Sequence, residues 1–328
     1  MLKPLVAITA AVMISAPALA GDTLFSYGKK DYKLSDLQPN LQQMYYDNLI
    51  EAYERNVSLL DQAVLDIYIE KMAASKNKSI IEIRTALFKI EPPTDAELKA
   101  AYEQHKTQIN QPFDQVKDSL SQSLEYQKAQ NKFQSVIKDA KKKHSFELKM
   151  DEVEMPAFDM DLSAFPFMGA ADAKVTIVEV ADYRCHFCKQ AGEAVAKVMD
   201  KYSDKVKLVY IDLPVIQPAS GVSQAIMEGA YCARQQNKYW EYNKAAYAMQ
   251  SELDGHSPAL LADKLGLNKK TFEACMISKE GHEYVAKSQT FSQVYGVSST
   301  PTFFINGQRM HTHDPVLDLI KRVEDALD

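Results

Sequence analysis

The chain has 328 residues and a net charge of −6, with 46% apolar and 25% charged residues. A chain of this length holds about two domains, and its apolar fraction is that of an ordinary globular protein. The negative charge balance argues against a nucleic-acid-binding surface, which needs a basic face.

The first twenty residues have the pattern of a secretory signal peptide. Lys3 supplies a positive charge, residues 5–14 are apolar, and Ala18-Leu19-Ala20 has the A-x-A form of a cleavage site. The apolar stretch is short for the ~30 Å core of a bilayer, which argues against a membrane anchor. We therefore expect an exported protein that is cleaved after Ala20. Export would place its four cysteines in an oxidising compartment, where disulfides persist.

Residues 21–150 contain no cysteine and are rich in helix formers, with apolar residues at helical spacing. Ser79 begins a predicted short helix, and Thr94 with Glu97 forms a capping box for another. A last long helix ends in Lys141-Lys142-Lys143, where cations complement the helix dipole. This lysine run is better interpreted as a helix end than as a nucleic-acid patch. The sequence thus predicts an all-α N-terminal domain.

The end of this region, PPTDAELKAAYEQHK followed by a long helix and SFELKM, resembles the N-terminal helical segment of SurA-like periplasmic chaperones. The resemblance covers roughly residues 24–150 and includes no catalytic signature. It implies a surface that holds unfolded clients. The other interpretation is a helical dimerisation arm, and the two are compatible. Residues 151–168 are acidic and contain proline, so we predict that they form a linker.

The linker is followed by a domain of α/β pattern, which we place at residues 169–328. Val175–Val180 and Val206–Leu213 are apolar strands, and His186–Tyr202 between them has apolar residues on one helical face. A strand–helix–strand unit predicts parallel pairing with a right-handed crossover. A helical insert at about 214–294 precedes a final hairpin and a closing helix.

Cys185 and Cys188 form a Cys-x-x-C motif where the first strand gives way to the helix. Such a motif suits a reversible disulfide or half of a metal site. The set of zinc ligands is incomplete, so no metal is expected. Cys185 precedes a helix, where unpaired backbone N–H groups and the dipole lower a thiol pKa. An imidazolium at His186 would lower it further, and Cys188 would be the more buried, resolving thiol.

From Gly169 to the C terminus the chain resembles the DsbA-like branch of the thioredoxin-fold thiol–disulfide oxidoreductases. The resemblance rests on GAADAKVTIVEVADYRCHFCK, the helical insert and VSSTPTFFINGQ. It implies a thioredoxin fold with an inserted helical subdomain and dithiol chemistry without a cofactor. It also implies that Thr300-Pro301 is a cis-proline pair that faces the disulfide and the substrate. Glu179 would be the acid beneath the cysteines that relays a proton.

Two features lie outside the common pattern of this family. The motif contains His186-Phe187 where the commoner motif is Cys-Pro-x-Cys, which leaves the redox potential open. Cys232 and Cys275 both fall in the helical insert. Two spare cysteines in an exported protein most often pair, and some DsbA-like relatives have a second, non-catalytic disulfide in this subdomain. We expect a structural disulfide here, the alternative being two buried free thiols.

These patterns predict a periplasmic enzyme that forms or isomerises disulfides in client proteins. The expected partners are cysteine-containing unfolded or misfolded exported proteins, a membrane redox partner, and a second copy bound through the N-terminal domain. A monomer recycled by a membrane oxidase would introduce disulfides, whereas a dimer kept reduced, as in the DsbC and DsbG type, would rearrange them. The alternative function is a periplasmic holdase chaperone in which the thioredoxin domain mainly presents clients.

Overall fold

The computed structural model describes residues 23–106, 109, 111–311 and 315–327. The predicted signal peptide lies outside these residues. The chain divides into two compact units, of which one is Ile50–Val153 and the other joins the residues up to Leu49 with those from Glu154 onward. Within the described ranges, no helix combines the length and the apolar character that a bilayer crossing needs.

The unit Ile50–Val153 is helical, as the sequence predicted. Its elements are the greater part of α1 (Pro39–Lys76), then α2 (Ile80–Leu87), α3 (Asp95–His105) and α4 (Phe113–Lys143). Ser79 and Thr94 cap α2 and α3 with the side-chain and backbone bonds of a capping box. Its core is built from apolar faces of α1, α2 and α4, with Leu65, Ile69, Ile83, Val136 and Ile137 fully enclosed.

The other unit begins with a hairpin that the sequence analysis did not predict. Its strands are β1 (Thr23–Tyr27) and β2 (Lys30–Lys33), which pair in antiparallel fashion. Gly28 lies in the turn with a φ of 65°, a conformation that glycine adopts without steric cost. All but two of the strand residues are exposed, so no strong apolar alternation marks this hairpin in the sequence.

Residues 23–49 group with the C-terminal part, whereas the sequence analysis placed them in the N-terminal domain. The reason lies in the start of α1, where Asn40 and the fully buried Gln43 pack against Gly296. Asp47 also pairs with Arg309, whose guanidinium donates to the Gly296 carbonyl. The first boundary by contact therefore falls inside α1, between Leu49 and Ile50.

Much of the predicted linker packs against the hairpin that closes the chain. The Phe158 N–H donates to the Gly307 carbonyl at 3.0 Å, and Gln308 donates to the Met155 carbonyl at 3.0 Å. Gly307 has a φ of 82°, and a Cβ on it would lie 2.3 Å from the Phe158 carbonyl oxygen. Glycine is therefore required here both by the turn and by the close approach of the linker.

A five-stranded mixed sheet is the centre of this unit. Its strands are β3 (Phe167–Gly169), β4 (Val175–Ala181), β5 (Val206–Asp212), β6 (Thr302–Ile305) and β7 (Gln308–Arg309). They lie in the order β3-β5-β4-β6-β7, with β4 and β5 parallel and the other pairs antiparallel. The parallel βαβ unit and the closing hairpin confirm the predicted thioredoxin fold.

Helices cover both faces of this sheet. One face packs on α5 (His186–Tyr202) and α11 (Pro315–Leu327), through residues such as Ala194 and Leu319. The other packs on the insert, which consists of α6 (Val222–Arg234), α7 (Tyr239–Ala248), α8 (Ser257–Lys264), α9 (Lys269–Met276) and α10 (Lys279–Val294). A disulfide between Cys232 and Cys275 joins α6 to α9 inside the insert.

Candidate active site

The loop between β4 and α5 is fixed by Asp182, a residue that the sequence analysis did not single out. Its fully buried carboxylate accepts the N–H groups of Arg184, Val215 and Ile216 at 2.8–2.9 Å, and the Ser223 hydroxyl at 2.8 Å. Its carbonyl accepts the Cys185 N–H at 2.9 Å. Asp182 thereby ties the loop that presents the dithiol to the loop that follows β5.

Cys185 is the N-cap residue of α5, and its side chain is buried. Its Sγ lies 3.3 Å from the Thr300 carbonyl oxygen. The Cys188 thiol, Thr300 and the backbone N–H groups of Cys188 and Phe187 together lower the pKa of Cys185 to about 6, although burial opposes them. A thiol with this pKa is mostly ionised at neutral pH, and the thiolate is the nucleophilic form.

Cys188 differs from Cys185 in charge state, although the two lie one helical turn apart. It is fully buried, and burial followed by the neighbouring Cys185 raises its pKa well above that of a free thiol. Both cysteines are free thiols in the structure. The pair therefore consists of one reactive thiolate and one protonated thiol held directly behind it.

His186 and Phe187 both face outward from the first turn of α5. His186 is exposed, and its Nε2 lies 3.1 Å from the amide nitrogen of Gln190. The main influences on the Cys185 pKa are the groups named above, and the imidazole is not among them. Phe187 is 65% exposed and stands beside the reactive thiol. The fold thus turns the middle of the motif towards solvent.

The cis-proline loop supplies the second wall of the site. The peptide bond between Thr300 and Pro301 is cis, and β6 begins directly after it. The structure brings Thr300 against Cys185 across a sequence distance of 115 residues. A cavity of about 210 Å³ lies on this loop, with Pro301, Arg309 and Met310 in its lining.

Glu179 lies on β4, the strand that leads into the dithiol loop, where it is only 3% exposed. It is opposite Tyr210 on β5 and Phe303 on β6, so both of its neighbours in the sheet are bulky. Burial, and after it the charge of Asp212, raises the pKa of Glu179 to about 8. A carboxyl group with this pKa retains its proton at neutral pH.

Asp212, at the end of β5, is a second buried acid that the sequence analysis missed. Its Oδ2 accepts the hydroxyls of Tyr239 at 2.7 Å and Tyr284 at 2.5 Å. Burial raises its pKa to about 6, while tyrosine hydroxyl donors act in the opposite direction. The sequence did carry a signal for this acid. The two strands that were predicted to pair in parallel each have one acidic residue near the carboxyl end.

Residues 163–325 match the family model described as Thioredoxin. A probable disulfide bond formation protein D of Bacillus anthracis is 26% identical over 204 residues, which are 58% of this chain and 85% of that protein. Residues 163–325 thus form a thioredoxin-family domain, and the similarity to a disulfide bond formation protein agrees with the predicted resemblance to DsbA-like thiol–disulfide oxidoreductases. The predicted family is therefore confirmed.

Part of the chain is also similar to a part of larger proteins. The Na(+)/H(+) antiporter NhaA 3 of Salinispora tropica is 33% identical over 143 residues, which are 44% of this chain and 22% of the antiporter. The chain thus spans about a fifth of that relative's length. A solved thioredoxin-like oxidoreductase of Silicibacter pomeroyi DSS-3 has 26% identity and a TM-score of 0.45, and the match covers 50% of this chain and 92% of that one.

In this domain the predicted site residues fall into four positions. Cys185, Cys188 and Thr300 meet at the mouth of the site. Glu179 is buried in the sheet on β4, and His186 is exposed beside Gln190. Cys232 and Cys275 are joined elsewhere, within the insert. The arrangement can exchange a disulfide between Cys185 and an extended peptide that approaches the cis-proline loop.

Proposed function

We propose that the protein is a periplasmic thiol–disulfide oxidoreductase that acts on the cysteines of exported proteins. The observation that carries this proposal is the asymmetry of the dithiol. Cys185 has a pKa lowered to about 6, whereas Cys188, one turn further along α5, is held protonated. One nucleophilic thiol and one resolving thiol are what a two-step exchange requires.

In the oxidising direction, a client thiolate attacks Sγ of Cys185 in the active-site disulfide. The bond between Cys185 and Cys188 breaks, and Cys188 leaves with the electron pair and takes up a proton. A second client thiolate then attacks the client sulfur of the mixed disulfide. Cys185 leaves as a thiolate, so the client has been oxidised and the dithiol reduced.

In the isomerising direction, the Cys185 thiolate attacks a wrong client disulfide and releases a client thiolate. That thiolate attacks a different client disulfide, and the new arrangement finally displaces Cys185, with no net change of redox state. The low pKa of Cys185 favours the oxidising direction, because a stabilised thiolate makes the reduced form of the enzyme more stable. The oxidising role also requires a partner that re-oxidises the dithiol, and we propose a membrane redox protein for that task.

We further propose that the helical unit Ile50–Val153 forms a homodimer. Support comes from large apolar side chains on α1 and α2 that are strongly exposed, at 68% for Leu59, 52% for Ile67 and 77% for Ile81. Where such side chains form one contiguous patch, the patch marks a surface that binds another protein. The same side chains favour the second candidate function, a holdase chaperone in which they bind unfolded clients directly.

Substitution of Cys185 by serine tests the enzymatic proposal against the chaperone. The variant and the wild type are compared in the refolding of a substrate with scrambled disulfides and in suppression of aggregation of a cysteine-free client. We expect the variant to lose disulfide rearrangement while it keeps any aggregation suppression. Unchanged rearrangement would rule out the enzymatic role of the dithiol.

Two further measurements address direction and assembly. Thiol trapping of Cys185 and Cys188 in periplasmic extracts reports their resting state, which is oxidised for an oxidase and reduced for an isomerase. Light scattering of the mature protein gives its mass in solution, and a monomer at micromolar concentration would contradict the dimer.

A further inference from the structure

Two buried acids lie on β4 and β5, the neighbouring parallel strands of the domain that carries the dithiol. Glu179 on β4 is opposite Tyr210 of β5, and Ala181 is opposite Asp212. Alternate residues of a strand share a face, so Glu179 and Asp212 are diagonal neighbours on one side of the sheet. Both are buried, at 3% and 0% exposure. Two acids this close in a buried site cannot both ionise without a large cost.

The surroundings of Asp212 favour its charged form over that of Glu179. Two hydroxyls, from Tyr239 on α7 and Tyr284 on α10, donate to its Oδ2. Its Oδ1 is buried and has no hydrogen-bond partner within the part of the chain that the structure describes. Hydroxyl donors favour the ionised form of a carboxyl group. They leave the negative charge in place, since neither of them carries a positive charge.

Few charges are available nearby to neutralise this carboxylate. The titratable and charged groups around the two acids come from the loop after β4, from β5 and from helices α5, α6, α7 and α10: Asp182, Tyr183, Cys188, Tyr210, Arg234, Tyr239, Tyr242, Tyr247 and Tyr284. Arg234 alone among these is basic, and it acts on Tyr284 but is not among the main influences on the pKa of Glu179 or of Asp212. The negative charge of Asp212 therefore acts on Glu179 and raises its pKa.

We propose that Asp212 is a positioning residue for the exchange reaction: held as a carboxylate by Tyr239 and Tyr284, it keeps the proton on Glu179. The pKa of Glu179, raised to about 8, and that of Asp212, at about 6, agree with this assignment. Between these two pH values Asp212 is ionised while Glu179 is protonated. Environments that separate the pKa values of two acids give them different roles.

This inference rests on the proposed dithiol chemistry and on the proton-relay role that the family resemblance implies for Glu179, and it adds the group that sets the protonation state of that acid. When a client thiolate attacks Cys185 of the active-site disulfide, the electron pair of the broken bond goes to Sγ of Cys188. The Glu179 carboxyl group supplies the proton that neutralises this sulfur, and the resulting carboxylate is reprotonated from solvent. Without the charge of Asp212, Glu179 would be ionised over more of the neutral range and would supply the proton less often.

The titration of Glu179 tests the role of Asp212 without reference to activity. Glutamate side-chain carboxyl carbons are labelled with ¹³C in the full mature protein, and the Glu179 resonance is assigned by its loss in Glu179→Gln. We expect Asp212→Asn to move the midpoint of this resonance down by about one pH unit, since a neighbouring like charge is removed. Tyr284→Phe, which removes one hydroxyl from Asp212, should move it in the same direction by less.

Tyr242→Phe is the matched control, because the Tyr242 hydroxyl is buried in the same insert and has no hydrogen-bond partner among the described residues. It should leave the Glu179 midpoint unchanged. An unchanged midpoint in both Asp212→Asn and Tyr284→Phe would overturn the inference. Tyr284→Phe also keeps the test decisive if Asp212→Asn does not fold.

The reaction itself provides the second readout. The rate at which a small thiolate attacks the oxidised protein is measured against pH and corrected for thiolate concentration. The rate should fall as the pH rises and Glu179 loses its proton, and we expect this fall at a lower pH in Asp212→Asn than in the wild type. The difference should vanish when both proteins also carry Glu179→Gln. If the wild type does not react with thiols at all, the proposed function fails, while the titration still decides the role of Asp212.

Discussion

Sγ of Cys185 lies 3.3 Å from the carbonyl oxygen of Thr300, a residue that follows it by 115 positions. The helix N-terminus and the cis-proline loop are separate parts of the chain, and each contributes to the chemistry of one sulfur. Backbone N–H groups of α5 stabilise the thiolate from one side, and Thr300 contacts it from the other. The reactivity of Cys185 therefore depends on the tertiary fold as well as on the motif.

The first prediction concerns the Thr300 side chain. Thr300→Val keeps the shape and the proline bond but removes the hydroxyl, and Thr300 is one of the groups that lower the pKa of Cys185. We expect the pKa of Cys185 to rise above its wild-type value of about 6. Absorbance of the thiolate at 240 nm against pH gives the value directly. Ser299→Ala, on the neighbouring exposed residue, is the control, and an equal shift in both variants would contradict the prediction.

The second prediction concerns pH and the stability contributed by Glu179. Its pKa is about 8 in the folded protein against an ordinary value of 4.5, so the folded state binds this proton more tightly than the unfolded state. The corresponding stability is complete below pH 4.5 and is lost as the pH rises through about 8. Glu179→Gln removes this pH-dependent loss of stability, because glutamine does not titrate. We expect the variant to gain stability relative to the wild type between pH 5 and 8, by up to about 4 kcal/mol.

Urea denaturation at several pH values measures this difference. Both proteins are kept with the active-site disulfide formed, so that Cys185 does not titrate. Glu193→Gln, on an exposed glutamate of α5, serves as the control and should show no such trend. A stability difference that is constant between pH 5 and 8 would show that Glu179 has an ordinary pKa.

Structural features that depend on residues close together in the sequence could be predicted. The βαβ alternation and the Cys-x-x-C at its strand–helix junction predicted a parallel α/β unit and a candidate dithiol, because both depend on neighbouring residues, whereas the thioredoxin fold came from the family resemblance. Thr300 and Pro301 came from the family resemblance, since no local pattern distinguishes this pair from an ordinary turn. The side-chain directions of His186 and Phe187 were not predictable, because the first turn of a helix can face either solvent or protein.

The surroundings of the buried acids lay beyond prediction for a different reason. Asp212 is held by Tyr239 on α7 and Tyr284 on α10, and these residues meet only after the insert has folded onto the sheet. Asp182 likewise organises three backbone N–H groups from two loops. A single aspartate after a strand gives no sign in sequence of how many donors will surround it.

The third prediction concerns the disulfide between Cys232 and Cys275. It closes a loop with a sequence separation of 43 and links α6 to α9 within the insert. Loop-closure entropy for this separation corresponds to about 4 kcal/mol. We expect the double variant Cys232→Ala with Cys275→Ala to lose up to that amount in the free energy of unfolding, measured in urea. At urea concentrations below its unfolding midpoint, the double variant should oxidise a client at the same rate as the wild type. A lower rate would show that the insert disulfide also supports the active site.

The fourth prediction concerns Phe187, the aromatic residue between the two active-site cysteines. It is 65% exposed beside Cys185, where burial of a large apolar side chain by a bound client would be favourable. We expect Phe187→Ala to raise KM for an unfolded protein client by about tenfold, equivalent to ~1.4 kcal/mol of lost contact, while kcat and the Cys185 pKa stay near wild type. Steady-state kinetics with a reduced, unfolded protein give both constants. Ile277→Ala is the control, because Ile277 is 88% exposed in the insert and should leave KM unchanged. Equal effects of the two substitutions would show that general surface hydrophobicity, and not contact beside the thiol, binds the client.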